Sequence, residues 1–269
     1  RATVRAAALI NGTAAHAIEF DDIFRDAIYH PGAPTIAAAL AVAQDRGASG
    51  EAFLRAVVAG YEISTRIGVA LGRTHYRHWH TTGTVGSFGA AAAAGMLLDL
   101  SRGQFAHALA TVTTFAAGLQ QAIRMDSMSK PLHAGRAAEA GVLAALAARE
   151  GVTGSLDAID GESGLGRAMG DGPDWNRACE GLGQVFNISA MTFKNHGCCG
   201  HTFAAIDGAL VLRARAGRPA GDIAKVHVAT YRAALDVAGN REAASAAQAK
   251  FSMAYVVAHA LAHGSVRLD

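Results

Sequence analysis

Residues 81–100, TTGTVGSFGAAAAAGMLLDL, decide what kind of fold this chain has. Their apolar part, around Ala90–Leu100, is shorter than the roughly 20 residues a bilayer crossing needs and carries Gly95 and Asp99. It therefore reads as a core helix, Thr82–Leu98, made of very small residues. Downstream, Asp99-Leu100-Ser101 separates it from a helix over Arg102–Gln121 that Ser101 can cap. Pro131 then suits the first turn of a helix running to about Glu150 and ended by Gly151. Upstream, Glu51–Leu71 is a helix begun by Ser49 and Gly50. Thr35–Gln44 follows the breakers His30-Pro31-Gly32 and Pro34, and Arg5–Phe20 is the first helix. β-Branched runs are scarce, so residues 1–184 are expected to form a large all-helical domain.

Beyond Gly181 the texture changes. Val185–Lys194 and Ile223–Tyr231 carry β-branched and aromatic residues in partial alternation, with a helical stretch Thr202–Arg215 between them. Residues 185–269 are thus expected to form a smaller α+β domain, in a chain that is mainly α. The chain opens on Arg1 inside a helical pattern and stops at Asp269 soon after an Ala/His-rich helix, so a longer parent polypeptide, with this second domain incomplete here, is expected.

Composition excludes several classes. A chain of 269 residues can bury about 70% of its unfolded surface and needs no staples. Its three cysteines, Cys179 and the adjacent Cys198 and Cys199, form no disulfide framework and suit a reducing compartment, which makes the cytoplasm the expected location, or the mitochondrial matrix in a eukaryote. With 24 Lys+Arg against 22 Asp+Glu and no basic block, neither nucleic acid nor an anionic membrane is an expected partner.

Four constellations could carry chemistry. Glu19-Phe20-Asp21-Asp22 followed by His30-Pro31-Gly32 sets acids near an imidazole, an acid–base arrangement or ordinary helix-end chemistry. His75 to Thr84 is a polar loop feeding a helix start, where Thr81, Thr82, Gly83 and Thr84 offer N–H groups and hydroxyls for an anion, or simply cap the helix. Its histidines, His75, His78 and His80, have no acid or cysteine at a familiar metal-site spacing. Ser129 to Arg136 places Lys130, His133 and Arg136 within a turn of one another, a clamp for a polyanion or solvated surface charge. In Lys194 to Thr202 the adjacent cysteines cannot easily take two corners of one zinc site, so no metal is expected there.

In order along the chain, six segments resemble the MmgE/PrpD family. They are His16–Asp22 with His30-Pro31-Gly32, Gly60-Tyr61-Glu62, His80–Gly86 running into Ala90–Ala94, Lys130–Gly135, Cys198–Thr202 with Ala205-Ile206-Asp207, and Lys250–Tyr255. The resemblance implies a helical domain with a smaller α+β lid, a metal-independent and cofactor-free active site, a homodimer and a small polycarboxylate substrate. Family activities include 2-methylcitrate dehydration, cis-aconitate decarboxylation and iminodisuccinate epimerisation. Dehydration is the expected reaction here, with decarboxylation and epimerisation as alternatives and a non-catalytic helical scaffold as the reading of another class. Carried over by motif, Asp21, Asp22, His30, His80, Lys130, His201 and Tyr255 would be catalytic, and Thr81–Thr84, His133 and Lys194 would bind substrate. Three departures stand out: Glu19 in place of the usual Asp, Phe203 in place of a second histidine, and Asn195-His196-Gly197 in place of an aromatic-Pro pair.

The chemistry assigns roles. Removing water or CO₂ from a polycarboxylate needs fixed positive charge, for which Lys130 is best placed, and groups that change protonation near neutral pH. His30 and His80 answer the second need, with Asp21 or Asp22 orienting an imidazole and Tyr255 donating to the leaving group.

Overall fold

A computed structural model of the chain describes residues 2–124, 127–217 and 219–267, Arg124 by its backbone alone. Arg1 and Asp269, the two ends noted above, lie outside the described residues. The fold is mainly α. Two compact units are formed, one of Arg1–Ala17, Asp21–Ala122 and Ser127–Phe193, the other of Ile18–Phe20, Ile123–Asp126 and Lys194–Asp269. No helix among the described residues is long and apolar enough to cross a membrane.

The first unit contains α1 (Val4–Ala17), β1 (Asp22–Ile23), α2 (Gly32–Arg46), α3 (Gly50–Leu71), α4 (Thr81–Thr84), α5 (Gly86–Leu97), α6 (Arg102–Thr113), the start of α7 (Gln121–Arg124), α8 (Lys130–Arg149), α9 (Leu165–Met169), α10 (Asn176–Cys179) and β2 (Thr192–Phe193). The core helix is the centre of this unit. Every residue of α5 except Met96 is buried, as expected of a helix apolar all round, and it packs on α2, α3, α6 and α8. Small residues make that packing possible. A Cβ on Gly60 of α3 would lie 2.4 Å from Thr35 Cγ2 and 2.6 Å from the Gly89 carbonyl, and one on Gly141 of α8 would lie 2.4 Å from Ala90 Cβ. The helices thus meet backbone to backbone, and cohesion comes from close contact rather than from large side chains.

Local signals set several boundaries. The Ser49 hydroxyl accepts from Ala52 N, and Ser101 forms a full capping box with Gln104. Elsewhere tertiary contacts override propensity. The first helix ends at Ala17 rather than Phe20, because Glu19 takes a left-handed φ of 57° and the chain turns into β1. The single helix expected over Thr82–Leu98 is divided at Val85. There the Ser87 hydroxyl donates to the Thr84 carbonyl (2.6 Å) while Phe88 N bonds Val85 O instead. α6 stops at Thr113 rather than Gln121, and Trp79 bridges Leu119.

The strand expectations need correcting. Of Val185–Lys194 only Thr192–Phe193 is a strand, paired antiparallel with Asp22–Ile23 inside the first unit, while Asn187–Ala190 is a 3₁₀ turn. Ile223–Tyr231 forms no ladder with any described segment. A strand exists only where a partner satisfies its backbone, and alternation in sequence does not supply one.

The second unit holds α11 (Phe203–Ala216), α12 (Arg232–Ala238), α13 (Ala246–Lys250) and α14 (Met253–His263). Ile206 and Ala209 pack with Met253, Val256, Val257, Ala260 and Leu261, and Cys198 and Ala234 join them. This core contains no strand among the described residues, so the α+β expectation for the second domain is not met there.

Candidate active site

The first unit gathers a chain of four imidazoles, two of which meet one carboxylate. His16, in the last turn of α1, has no solvent exposure, and its Nδ1 is 2.5 Å from Asp21 Oδ2. The other Asp21 oxygen lies 3.7 Å from His30 Nδ1. The His16 ring is 5.3 Å from that of His30 and stacks on His80 at 5.5 Å, and His80 in turn is 5.2 Å from His133.

Adjacent acids have different roles. Asp22 turns its carboxylate inward, where Oδ1 accepts from Gly32 N at the start of α2 (3.0 Å) and Oδ2 from the Tyr61 hydroxyl (2.9 Å). Burial pushes its pKa up to about 6 against those hydrogen bonds, with the neighbouring Asp21 charge adding to the rise. Burial and Asp22 push the Tyr61 phenol upward as well. Asp22 therefore latches the loop to α2 and α3, and only Asp21 faces the imidazoles. The Asp22 carbonyl accepts from His30 Nδ1 (2.7 Å), so that nitrogen carries the proton and Nε2 is the basic one in the neutral ring.

His80 Nδ1 and His133 Nδ1 are 3.0 Å apart, so one donates to the other and they cannot both be doubly protonated. Burial holds His80 well below the ordinary histidine range, and His16, Lys130, His133 and His30 press the same way. His133 is lowered by burial, then by His16 and Lys130. Lys130, buried at the first position of α8, thus supplies positive charge beside both rings. A cavity of about 410 Å³ lined by Gly83, Gly118, Ser129, His133 and Arg136 opens at this end of α8.

The threonine run, expected to cradle an anion, also makes contacts within the protein. Thr82 Oγ1 accepts from His30 N (3.3 Å), and the Thr84 hydroxyl bonds His75 Nε2 (2.8 Å). The Gly83 and Thr84 amides already donate to the His80 carbonyl. Thr81–Thr84 are all buried; Thr82 and Thr84 hold His30 and His75 in place, while the Thr81 hydroxyl has no hydrogen-bond partner among the described residues. His75, bonded also to the Met169 carbonyl (2.9 Å), is a structural histidine.

Three of the expected site residues belong to the second unit. Lys194, buried, donates to Glu19 Oε2 at 2.9 Å. His201 Nδ1 lies 2.5 Å from the Tyr231 hydroxyl. Tyr255 is 48% exposed, stacks its ring on His259 at 6.1 Å, and lines a cavity of about 210 Å³ with Lys250 and Cys198. Burial pushes the Cys198 thiol up and Thr202 is its hydrogen-bond neighbour, the opposite of an activated nucleophile. No three His, Cys, Asp or Glu side chains among the described residues are arranged to hold a metal ion.

Sequence reasoning missed His16 as a site member. His16 reads as one more residue of a helix, and its only signal is an acid five positions on. Glu19 reads as a helix-end acid until the buried Lys194 is seen against it.

The first unit thus buries a histidine cluster together with one carboxylate and one ammonium. Residues 1–178 match the MmgE/PrpD N-terminal domain and residues 196–269 the MmgE/PrpD C-terminal domain, and the chain belongs to the MmgE/PrpD family. It is 31% identical over 219 residues to the cis-aconitate decarboxylase-like protein oryM of Aspergillus oryzae, an alignment covering 76% of this chain and 45% of that protein. It is 34% identical over 171 residues to cis-aconitate decarboxylase of Homo sapiens, covering 60% of this chain and 34% of that one. The chain spans less than half the length of these relatives.

Proposed function

We propose that the chain serves a metal-independent lyase acting on a small tricarboxylic acid, with decarboxylation of a cis-aconitate-like substrate favoured over the dehydration that the sequence motifs suggested. The observation that carries this is the cluster His30–Asp21–His16–His80–His133 with Lys130 beside it. The names of the relatives favour loss of CO₂.

In such a reaction a carboxylate leaves as CO₂ from the carbon next to an alkene. The C–C electron pair moves into a new double bond, and the far alkene carbon takes one proton. Lys130 would bind a retained carboxylate and offset charge developing on it. A neutral imidazole cannot deliver that proton, so one ring of the cluster must first hold the extra one, and the polyanion itself favours that uptake. His30, whose Nδ1–H is fixed by the Asp22 carbonyl, is assigned the donor through Nε2, and His80 the ring that relays to His133.

NMR of the full chain in D₂O with cis-aconitate, 2-methylcitrate and iminodisuccinate tests this. CO₂ release from cis-aconitate with one deuterium gained is expected, in metal-free buffer with chelator as well as without. Loss of water from 2-methylcitrate alone would restore the dehydratase reading. Exchange without net loss would make the protein an epimerase, and inertness toward all three would sink the proposal.

A further inference from the structure

The role of His16 goes beyond that assignment. It has no solvent exposure, its Nδ1 is committed to Asp21, and its Nε2 is buried with no hydrogen-bond partner among the described residues. A buried imidazole nitrogen left in that state costs stability, and a fold that keeps one has a use for the rest of the ring.

Geometry shows what the ring touches. Asp21 is shared, with one oxygen 2.5 Å from His16 and the other 3.7 Å from His30. A carboxylate pulled from one side by His16 cannot swing toward His30 or away from it, so the His16 contact sets how strongly His30 is held. The His16 ring also stacks on His80 with the planes only 25° apart, which fixes the tilt of that ring.

We propose that His16 is a positioning residue which, through the carboxylate it shares with His30 and the ring it stacks on in His80, fixes the place of both rings. The claim rests on the lyase reading for what those rings do, but not for the coupling itself. His16 is not a catalytic residue, because it acts through Asp21 and His80.

The charged groups around it are few. From the loop come Asp21 and His30, with Asp22 turned toward Tyr61, and His80 precedes α4. From α8 come Lys130 and His133 near the cluster, then Arg136 and Glu139, where Glu139 pairs with both Arg136 and Arg5 of α1, and Arg149 at the far end. From α2 there are only Asp45 and Arg46, at its C-terminal end.

The test uses the full chain with labelled histidine rings and the variants His16→Leu, His16→Asn, Asp21→Asn and the double variant His16→Leu/Asp21→Asn. His16→Leu should lower kcat about tenfold or more, a coupling of ordinary size for residues in one network, with KM within about twofold and the pH–rate limb displaced. His16→Asn keeps an N–H toward Asp21 and should restore kcat to within about threefold, together with the wild-type limb. The double variant should be no worse than its poorer single. Ring NMR without substrate should show the His30 titration displaced in His16→Leu and Asp21→Asn, and close to wild type in His16→Asn.

An unchanged His30 titration in His16→Leu overturns the proposal. So does a folded His16→Asn as impaired as His16→Leu, or losses that multiply in the double variant. If no polycarboxylate is turned over at all, the lyase reading fails while the NMR arm still decides the coupling. If His16→Leu does not fold, His16→Asn and Asp21→Asn decide it by the same titration.

Discussion

Helix α5 and the segment Asp21–His30 are near neighbours in one unit, yet they are held by opposite means. α5 is buried on all sides and contributes almost no polar side chain, so its place is set by shape alone. Asp21–His30 is a tight turn, closed by the Phe24–Tyr29 bridge, in which Ile28 takes φ 50°, a conformation a β-branched residue adopts only when its surroundings force it. Its carboxylates and ring are fixed by named hydrogen bonds. The lesson is that the framework can tolerate loss of any one polar group but not of volume, whereas the segment has the reverse sensitivity.

The largest effect should come from volume. Phe88 of α5 is fully buried against Tyr29, Ile67, Leu71 and Val112. Phe88→Ala should cost about 3–5 kcal/mol, read as a lowered midpoint in denaturant with the slope unchanged. A loss under about 1 kcal/mol would mean that the core collapses into the gap, and the contrast between the two regions would go.

Next in size is a pH effect from the latch. The Asp22 pKa is raised from 3.8 to about 6, so folding favours its protonated form. The stability this contributes is fully present below 3.8 and is lost as pH rises through about 6, a change of about 3 kcal/mol. Asp22→Asn stays neutral, can still accept from Gly32 N and donate to the Tyr61 oxygen, and should remove that slope. Melting temperatures of the two proteins between pH 4 and 7 should converge at the acid end and separate at the neutral end, with the variant higher. Parallel curves would show that the bonds from Gly32 N and Tyr61 offset the burial of Asp22 and leave no slope.

Turnover comes third. His30→Gln and His80→Gln should each lower kcat by roughly 10² or more, the usual range for a lost general acid or base, with melting temperatures near wild type. Lys130→Ala should act mainly on KM. Near-normal kcat in both histidine variants would place the proton transfer elsewhere and leave the cluster a structural one.

These contrasts mark what the sequence could and could not show. Helix caps and small-residue packing are local, so Ser49, Ser101, Pro131 and the α5 run were legible within a few residues of their true bounds. The division of labour between Asp21 and Asp22 was not. Consecutive residues of extended backbone face opposite ways, and which one meets the imidazoles is decided by Tyr61, 39 positions away. His16 was hidden for the same reason, since nothing in a helical pattern tells which buried histidine meets a loop carboxylate. The expected strands failed because β pairing is non-local, and only Thr192–Phe193 found a partner.

The smallest expected effect separates two readings of the threonine turn, where the two regions meet. The Thr82 hydroxyl accepts from His30 N at 3.3 Å, a long bond, and Thr82 is fully buried. Thr82→Val keeps the shape and removes the oxygen, leaving the His30 amide without that acceptor, at a cost of about 1 kcal/mol. For a chain of this size that lowers Tm by roughly 2–4 °C. Because the hydroxyl supports His30 rather than substrate, KM for the polycarboxylate should stay within about twofold while kcat falls a few-fold, tracking the looser ring. An anion cradle predicts the reverse pattern. Losing a donor to a charged carboxylate costs about 1.5–3 kcal/mol of binding, so KM would rise tenfold or more with Tm unmoved. Measuring KM and Tm on the same preparation distinguishes the two, because losing the acceptor of the His30 amide lowers Tm whereas losing an O–H donor to a ligand raises KM.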